Sequence, residues 1–196
     1  MDYAWYNIGV NNLTILNKNW QFPKVTQLWG GHFTTEELFD PDWVLYIESL
    51  DIHISKSHPI FFKPKNMETK KAHVDLRLDN SSQVSALNFA IQGKDSKMCW
   101  YKEKLVNSGI IKQNSFGAAD HKSHNHVVWN LEDLEEIDSC NIQSSLTLVR
   151  IGIPHTIFIG NQDRWGISIR FNNNLGRKSW EEVVDFFNNK NLLIAR

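Results

Sequence analysis

The chain has 196 residues, of which 41% are hydrophobic and 22% charged, so it favours one domain (1–196) able to bury a sizeable core. Lys plus Arg number 21 and Asp plus Glu 22, and this formal charge of -1 argues against a nucleic-acid partner. No apolar stretch approaches a membrane span, and the first residues lack the basic and apolar segments of a signal peptide. With only two cysteines, Cys99 and Cys140, we expect a soluble protein of a reducing, cytoplasmic compartment.

Short β-type runs dominate the chain after a possible short helix at Thr34–Phe39. The predicted strands are residues 43–48, 51–55, 59–63, 72–78, 85–92, 97–102, 126–130, 145–151, 155–159 and 164–171. Many short strands separated by turns indicate a sandwich or barrel and not alternating β–α units.

Two segments interrupt the β pattern. Residues 131–137 (LEDLEEI) could form one or two helical turns. Residues 179–189 predict a helix, because Ser179 and Glu182 have the spacing of a capping box. Apolar residues then recur at helical spacing, at Trp180, Val183, Val184 and Phe187. We expect this C-terminal helix to pack on the outside of the β core.

The strands at 164–171 and 85–92 each have one apolar and one polar or small-residue face. The apolar faces carry Trp165, Ile167, Ile169 and Phe171 in one strand and Leu87, Phe89 and Ile91 in the other. The opposite faces carry Arg164, Gly166, Ser168 and Arg170, and Ala86, Asn88, Ala90 and Gln92. An apolar core cannot accept two unpartnered arginines, so the polar face meets solvent or lines a polar cavity. This pattern suits a mainly β, cupin-like double-stranded β-helix (jelly roll) with flanking helices.

A candidate metal motif lies in the strand that contains His73 and Asp75. Residues i and i+2 of a strand point to the same side, so this histidine and carboxylate can approach one ion. His155 follows Pro154 and begins another predicted strand. Two imidazoles and one carboxylate form the facial triad of non-haem Fe(II) oxygenases, which leaves positions open for other ligands.

A candidate anion clamp follows nine residues after His155, at Arg164. A 2-oxo dicarboxylate can chelate iron at its oxo-acid end, while its distal carboxylate needs a cation, for which arginine offers a bidentate fork. Ser168 lies on the same strand face and could add a hydroxyl. Arg170, fifteen residues after His155, is the alternative clamp.

With these motifs the chain resembles the Fe(II)/2-oxoglutarate-dependent dioxygenase superfamily, in its prolyl-hydroxylase-like or aspartyl/asparaginyl-hydroxylase-like branch. The matching segments, within roughly residues 59–171, are AHVDL at 72–76, ALNFAIQG at 86–93, WY at 100–101 and IPHTIFIGNQDRWGISIRF at 153–171. The resemblance implies that His73, Asp75 and His155 are catalytic iron ligands. It also implies that Arg164 binds the C5 carboxylate of 2-oxoglutarate, assisted by Ser168 and Asn88. Aspartyl/asparaginyl hydroxylases proper can lack the acidic ligand, so Asp75 counts against that branch.

The resemblance further implies one oxygenase domain with its β-helix core at about 59–171 and its last helix at about 179–189. Such an enzyme uses Fe(II), O2 and 2-oxoglutarate as co-substrate, and couples oxidative decarboxylation of 2-oxoglutarate to hydroxylation of a second substrate. That substrate is a small molecule or a protein side chain, and the sequence does not define it or the oligomeric state. The alternatives are a cupin-type metal enzyme that does not use 2-oxoglutarate and a non-catalytic jelly-roll binding module.

Several other residues have weaker functional patterns. Trp100 and Tyr101 could line a substrate pocket or belong to the core, and Arg170 could face substrate. The histidines at 121, 124 and 126 are interpreted as part of a solvated loop or a lid over the active site. The lysines at 63, 65, 70 and 71 form a charge run that is typical of a solvated loop. Cys99 has no base at a readable position that would make it a nucleophile.

Overall fold

The computed structural model describes residues 3–9, 14–75, 84–93, 95–105, 109–114, 124–142 and 145–194. Within these residues the chain is mainly β, with two antiparallel sheets and few helices. None of the helices in this part of the chain has the length and apolar character needed to cross a membrane.

The strands follow one another along almost the whole chain. In chain order they are β1 (Trp5–Ile8), β2 (Trp29–Thr34), β3 (Ser57–Lys63), β4 (Lys71–Asp75), β5 (Ser85–Ala90), β6 (Lys97–Glu103), β7 (Ile110–Asn114), β8 (His124–Asn130), β9 (Leu134–Asn141), β10 (Thr147–Arg150), β11 (His155–Phe158), β12 (Arg164–Ile169) and β13 (Leu193–Ile194). The helices are α1 (Thr35–Leu38), α2 (Pro41–Ser49), α3 (Asn173–Gly176) and α4 (Trp180–Asn189), and a 3-10 turn spans Leu131–Asp133.

The strands are divided between a large and a small sheet. The large sheet has the order β13-β1-β10-β5-β12-β3-β2, and the small sheet has the order β7-β8-β4-β11-β6-β9. The sheets face each other, because Ala86 and Ala90 of β5 share one buried cluster with Met98 and Trp100 of β6. We call the volume between these facing sides the inter-sheet space.

The other side of the large sheet carries the main apolar core. Ile167 and Ile169 of β12 pack there in one cluster with Trp43 of α2 and with Val183 and Phe187 of α4. The apolar faces predicted for the strands at 164–171 and 85–92 therefore pack against helices. The polar faces of the same strands turn by alternation into the inter-sheet space.

The C-terminal helix predicted at 179–189 is confirmed as α4. The Ser179 hydroxyl accepts a hydrogen bond from the Glu182 backbone N–H at 3.2 Å, and the Glu182 carboxylate accepts one from the Ser179 N–H at 2.8 Å. Trp180, Val183 and Phe187 are buried, so this stripe belongs to the core. The short helix expected at Thr34–Phe39 also forms, as α1 with Thr34 as its cap.

The strands predicted at 43–48 and 51–55 are wrong. Residues 43–48 belong to α2, because Asp40 caps its first turn, Pro41 begins it, and Trp43 and Ile47 are spaced to bury one helical face. Residues 51–55 contribute only an isolated bridge between Ile54 and Phe171.

The helical turns predicted at 131–137 are only partly present. The 3-10 turn ends at Asp133, and Leu134 begins β9, which is hydrogen-bonded to β6. Strands β1, β2, β7, β9 and β13 are additions to the predicted set. The strand predicted at 72–78 is present to residue 75, and its last three residues lie outside the described part.

Candidate active site

The two histidines predicted as metal ligands meet in the small sheet. His155 of β11 lies directly opposite His73 of β4, and the centroids of the two imidazole rings are 4.6 Å apart. His155 is also the register partner of Trp100 on β6, which belongs to the buried cluster between the sheets. Because directly paired residues point to the same side of a sheet, both imidazoles face the inter-sheet space.

The tautomer of His155 is set by its backbone surroundings. The Nδ1 atom of His155 lies 2.9 Å from the carbonyl oxygen of Ile153. A carbonyl oxygen only accepts, so Nδ1 carries the proton and donates it, and the Nε2 lone pair remains to bind a metal. Histidines that bind metals commonly donate their other N–H to a carbonyl in this way.

Asp75 has the strand position that the predicted triad requires. It lies two residues beyond His73 in β4, and its backbone pairs with His126 of β8. The side chain of Asp75 lies outside the described part of the structure, so its contact with a metal stays a prediction. Among the side chains that are described, no group of three or more His, Cys, Asp and Glu residues is arranged to hold a metal ion.

His126 is a neighbour of this site that sequence reasoning had placed in a loop or lid. Its ring centroid lies 5.7 Å from that of His73, with the rings almost perpendicular. The backbone of residues 124–130 forms strand β8, so the loop interpretation is wrong for this part of the cluster. The side chain of His124 lies outside the described part of the structure, and His121 lies outside the described residues altogether.

Arg164, the predicted anion clamp, is almost completely buried in the large sheet. Its exposed fraction is 3%, and its Nε atom has no hydrogen-bond partner among the described residues. Burial lowers the pKa of Arg164 to about 10. This value is still well above neutral pH, so the guanidinium stays charged there. An uncompensated buried charge is strongly destabilising, so this side chain has the surroundings of a group that binds an anion.

Two glycines make room for the Arg164 side chain. Gly166 lies two residues along the same strand face, and a Cβ atom there would overlap Nη1 of Arg164 and lie 2.9 Å from its Cζ. Gly93 has a φ of +75°, and a Cβ there would lie 2.7 Å from the Cβ of Arg164. The guanidinium therefore lies directly over Gly166.

Ser168 and Asn88, the residues predicted to assist Arg164, lie further along this face. They are direct register partners on β12 and β5, and both are buried. The Oδ1 atom of Asn88 has no hydrogen-bond partner, while its amide contacts the Sδ of Met98 on the small sheet at 3.8 Å. Met98 pairs with Ile157, two residues from His155 on the same face of β11. The polar groups of the two sheets thus face each other across the inter-sheet space.

Lys63 is a site residue that sequence reasoning missed. It was assigned with Lys65, Lys70 and Lys71 to a solvated loop, but it is the last residue of β3 and lies directly opposite Arg164. Its side chain is only partly exposed, whereas the other three lysines are exposed. The strand predicted at 59–63 separates Lys63 from the other three lysines, but its place opposite Arg164 depends on the register between β3 and β12.

Trp100 and Tyr101, the weaker candidates for a substrate pocket, lie on opposite sides of the small sheet. Trp100 is fully buried beside His155, and its indole N–H donates to the carbonyl oxygen of Arg150 at 2.6 Å. Tyr101 follows a bulge and packs in a cluster on the other side of the small sheet, away from the inter-sheet space. This is the core packing that the sequence allowed as the alternative to a substrate pocket.

Arg170 is less buried than Arg164 and lies one residue beyond the end of β12. Its backbone N–H donates to Nδ1 of His58 at 3.1 Å, on the helix side of the large sheet. Six residues along a strand amount to about 20 Å, so the two arginines cannot bind the same carboxylate.

Neither cysteine forms a disulfide, and both are buried. Burial raises the pKa of the Cys99 thiol, which disfavours the thiolate that a nucleophile requires.

A scan of protein-family models and searches of the curated proteins and of the solved structures found no match to this chain.

Proposed function

We propose that this chain is an Fe(II)- and 2-oxoglutarate-dependent oxygenase of jelly-roll fold that hydroxylates a small molecule or a protein side chain. The observation that carries the proposal is the buried Arg164 guanidinium, whose Nε has no hydrogen-bond partner. It borders the same inter-sheet space as the opposed imidazoles of His73 and His155. A dicarboxylate that binds a metal at one end and a cation at the other fits these two groups.

The metal end of the proposed site consists of His73, Asp75 and His155. The ring separation of 4.6 Å and the Nδ1 hydrogen bond of His155 support two imidazoles that can bind one ion. The strand position of Asp75 is consistent with a carboxylate as third ligand. Bound iron supplies the activation of O2 and the oxidative decarboxylation of 2-oxoglutarate that is coupled to hydroxylation.

The anion end consists of Arg164, with Ser168 and Asn88 beside it. Arginine can form two parallel charge-assisted hydrogen bonds to the distal carboxylate of 2-oxoglutarate. Ser168 can donate its hydroxyl, and Asn88 can turn its amide towards the same group, since both are buried along the same face. Burial excludes water from these contacts, so each is stronger than at an exposed position.

A second candidate function is a cupin-type metal enzyme that does not use 2-oxoglutarate. The proximity of His126 to His73, with ring centroids 5.7 Å apart, favours it, because a third imidazole could replace the carboxylate as ligand. The buried Arg164, whose Nε lacks a hydrogen-bond partner, favours the oxygenase, because a three-histidine metal site alone gives that guanidinium no anion.

The test is the affinity for 2-oxoglutarate in anaerobic solution with Mn(II), measured by calorimetry for wild type, Arg164→Ala, Arg164→Lys and Arg170→Ala. We expect Arg164→Ala to lose about 100-fold in affinity, because a partly desolvated bidentate pair is removed. Arg164→Lys should recover only part of this loss, since an ammonium cannot reproduce the fork. Arg170→Ala should bind like wild type.

Loss confined to Arg170→Ala would move the clamp to Arg170. Metal binding without any 2-oxoglutarate binding by wild type would favour the cupin-type enzyme. A wild-type protein that binds neither would favour a non-catalytic module.

A further inference from the structure

Lys63 and Arg164 form a pair of cations on one face of the large sheet. They are register partners on β3 and β12, and the alternate residues Phe62 and Trp165 pack in the apolar core on the other side. Both side chains therefore turn towards the inter-sheet space. We propose that Lys63 and Arg164 together form a two-cation clamp for the terminal carboxylate of a dicarboxylate ligand.

The clamp lacks a built-in counter-charge in the described part of the chain. The charged group that acts on Lys63 there is Arg164, and burial together with this like charge lowers the pKa of Lys63 to about 8. The Arg164 guanidinium is influenced, apart from burial, by the Cys140 thiol of the opposite sheet. Neither cation forms an ion pair with a described carboxylate, so an anion that enters between the sheets would stabilise both.

Other lysines of this chain have a different environment. In the described part of the chain, ion pairs at the surface join Lys70 to Glu68, Lys97 to Glu136, Lys102 to Glu135, Lys178 to Glu182, and Lys190 to Asp51. Such surface pairs contribute little to stability and leave the lysine accessible to water. Lys63 instead lies opposite another cation, Arg164, at a strand end. This arrangement opposes folding unless a bound anion compensates the two positive charges.

A carboxylate fits the two cations better than a neutral group would. The planar fork of Arg164 can bind both carboxylate oxygens, and the compact ammonium of Lys63 can approach one of them from β3. The inference rests on the proposed function for the identity of the ligand as 2-oxoglutarate. It needs no metal for the clamp itself, so glutarate, which has no oxo group to chelate a metal, can probe the clamp alone.

The first experiment compares wild type with Lys63→Met, Lys63→Arg and the control Lys65→Met, an exposed lysine two residues further along. Melting temperatures are measured in metal-free buffer at pH 7, with and without millimolar glutarate. Glutarate should raise the melting temperature of wild type, Lys63→Arg and Lys65→Met, but hardly that of Lys63→Met. Without ligand, Lys63→Met should melt above wild type, because the like-charge contact with Arg164 is removed while the length of the side chain is kept.

The second experiment measures 2-oxoglutarate affinity with Mn(II) for the same proteins. We expect Lys63→Met to weaken binding at least tenfold and Lys65→Met to leave it unchanged. If wild type binds 2-oxoglutarate and Lys63→Met binds it equally well, the two-cation clamp is wrong and the proposed function remains. If glutarate stabilises wild type through Lys63 but 2-oxoglutarate binds no better with metal than without, the clamp remains and the proposed function is wrong. Absence of any glutarate effect in wild type overturns the clamp.

Discussion

His73 and His155 lie directly opposite each other on neighbouring antiparallel strands, and their ring centroids are 4.6 Å apart. The two residues are 82 positions apart in the sequence. Only the pairing of β4 with β11 brings them together, and His155 is further fixed by its hydrogen bond to the Ile153 carbonyl. The small sheet thus holds two imidazoles in place before any metal binds, which reduces the ordering that binding would otherwise require.

The number of histidines that bind the metal can be tested with His126→Ala. If His73, Asp75 and His155 are the ligands, His126→Ala should keep Fe(II) or Mn(II) affinity within about tenfold of wild type, because a neighbour outside the coordination shell contributes less than a ligand. His155→Ala should abolish binding at micromolar metal. Calorimetry with circular dichroism as a fold control measures both. Equal loss in the two variants would indicate a three-histidine site and favour the cupin-type enzyme.

Gly166→Ala should weaken 2-oxoglutarate binding and leave stability almost unchanged. The new Cβ would meet the guanidinium of Arg164, which is the far end of a flexible side chain and can move aside. Displacing the fork by even one ångström should cost at least tenfold in affinity. Metal affinity should be unaffected, since Gly166 lies on the opposite sheet from His73 and His155. A melting temperature lowered by more than a few degrees with affinity intact would contradict this account of the glycine.

Trp165→Ala should have the converse effect, with a large loss of stability and little direct effect on the anion site. Trp165 packs on the helix side of the sheet, with its ring centroid 4.9 Å from that of Phe22 and 5.0 Å from that of Phe62. Removing a buried tryptophan leaves a cavity and should cost about 3 to 5 kcal/mol of unfolding free energy. Urea unfolding measures the loss. A change under 1 kcal/mol would show that the assignment of the two faces is reversed.

Because side chains alternate, the apolar and polar faces of β12 and β5 could be predicted from the sequence. The strands with which each of them pairs could not. Side chains point to opposite sides of a strand at every step, so the apolar and polar sets of β12 and β5 follow from the order of residues alone. The helix α2 was mistaken for a strand because Val44, Tyr46 and Ile47 favour β structure, although Asp40 and Pro41 carried a helix-start signal. Tertiary packing of Trp43 and Ile47 against the sheet decided in favour of the helix.

Candidate site residues that lie in one strand could be predicted from the sequence. Those that come together only through the pairing of separate strands could not. Arg164 and Ser168 share a face of one strand, and His73 and Asp75 are two residues apart in another. Lys63 ends the strand predicted at 59–63, and only the register of β3 with β12 shows that it lies opposite Arg164. The distance of His126 from His73 likewise depends on the pairing of β8 with β4.

Stability should fall in acid partly because of His58, which is fully buried beside α1. Its Nδ1 accepts a hydrogen bond from the Arg170 backbone, its Nε2 lies 3.1 Å from the Thr35 hydroxyl, and burial followed by the Arg170 charge lowers its pKa to about 4. The folded pKa lies below the ordinary value of 6.5, so the stabilisation is complete above pH 6.5 and is lost as pH falls towards 4. This one group should contribute a loss on the order of 3 kcal/mol over that window.

Urea unfolding at several pH values should therefore give a shallower dependence in His58→Gln than in wild type between pH 6.5 and 4. The variant itself should be less stable at neutral pH, because an amide cannot fill the imidazole site in the same way. His53→Gln, which changes a partly exposed histidine nearby, is the matched control and should keep the wild-type slope. Identical slopes in wild type and His58→Gln would show that His58 does not resist protonation in the fold.

The most direct test of the central claim is the coupling between metal and 2-oxoglutarate in the wild-type protein. Anaerobic calorimetry gives the affinity for Mn(II) with and without 2-oxoglutarate, and the affinity for 2-oxoglutarate with and without Mn(II). If one ligand connects the histidine site to Arg164, each should strengthen the other by the same factor, and we expect at least tenfold. Repeating the cycle with glutarate should abolish most of the coupling, because glutarate cannot chelate the metal. Metal affinity that is indifferent to 2-oxoglutarate would contradict the account, since the two sites would then bind their ligands independently.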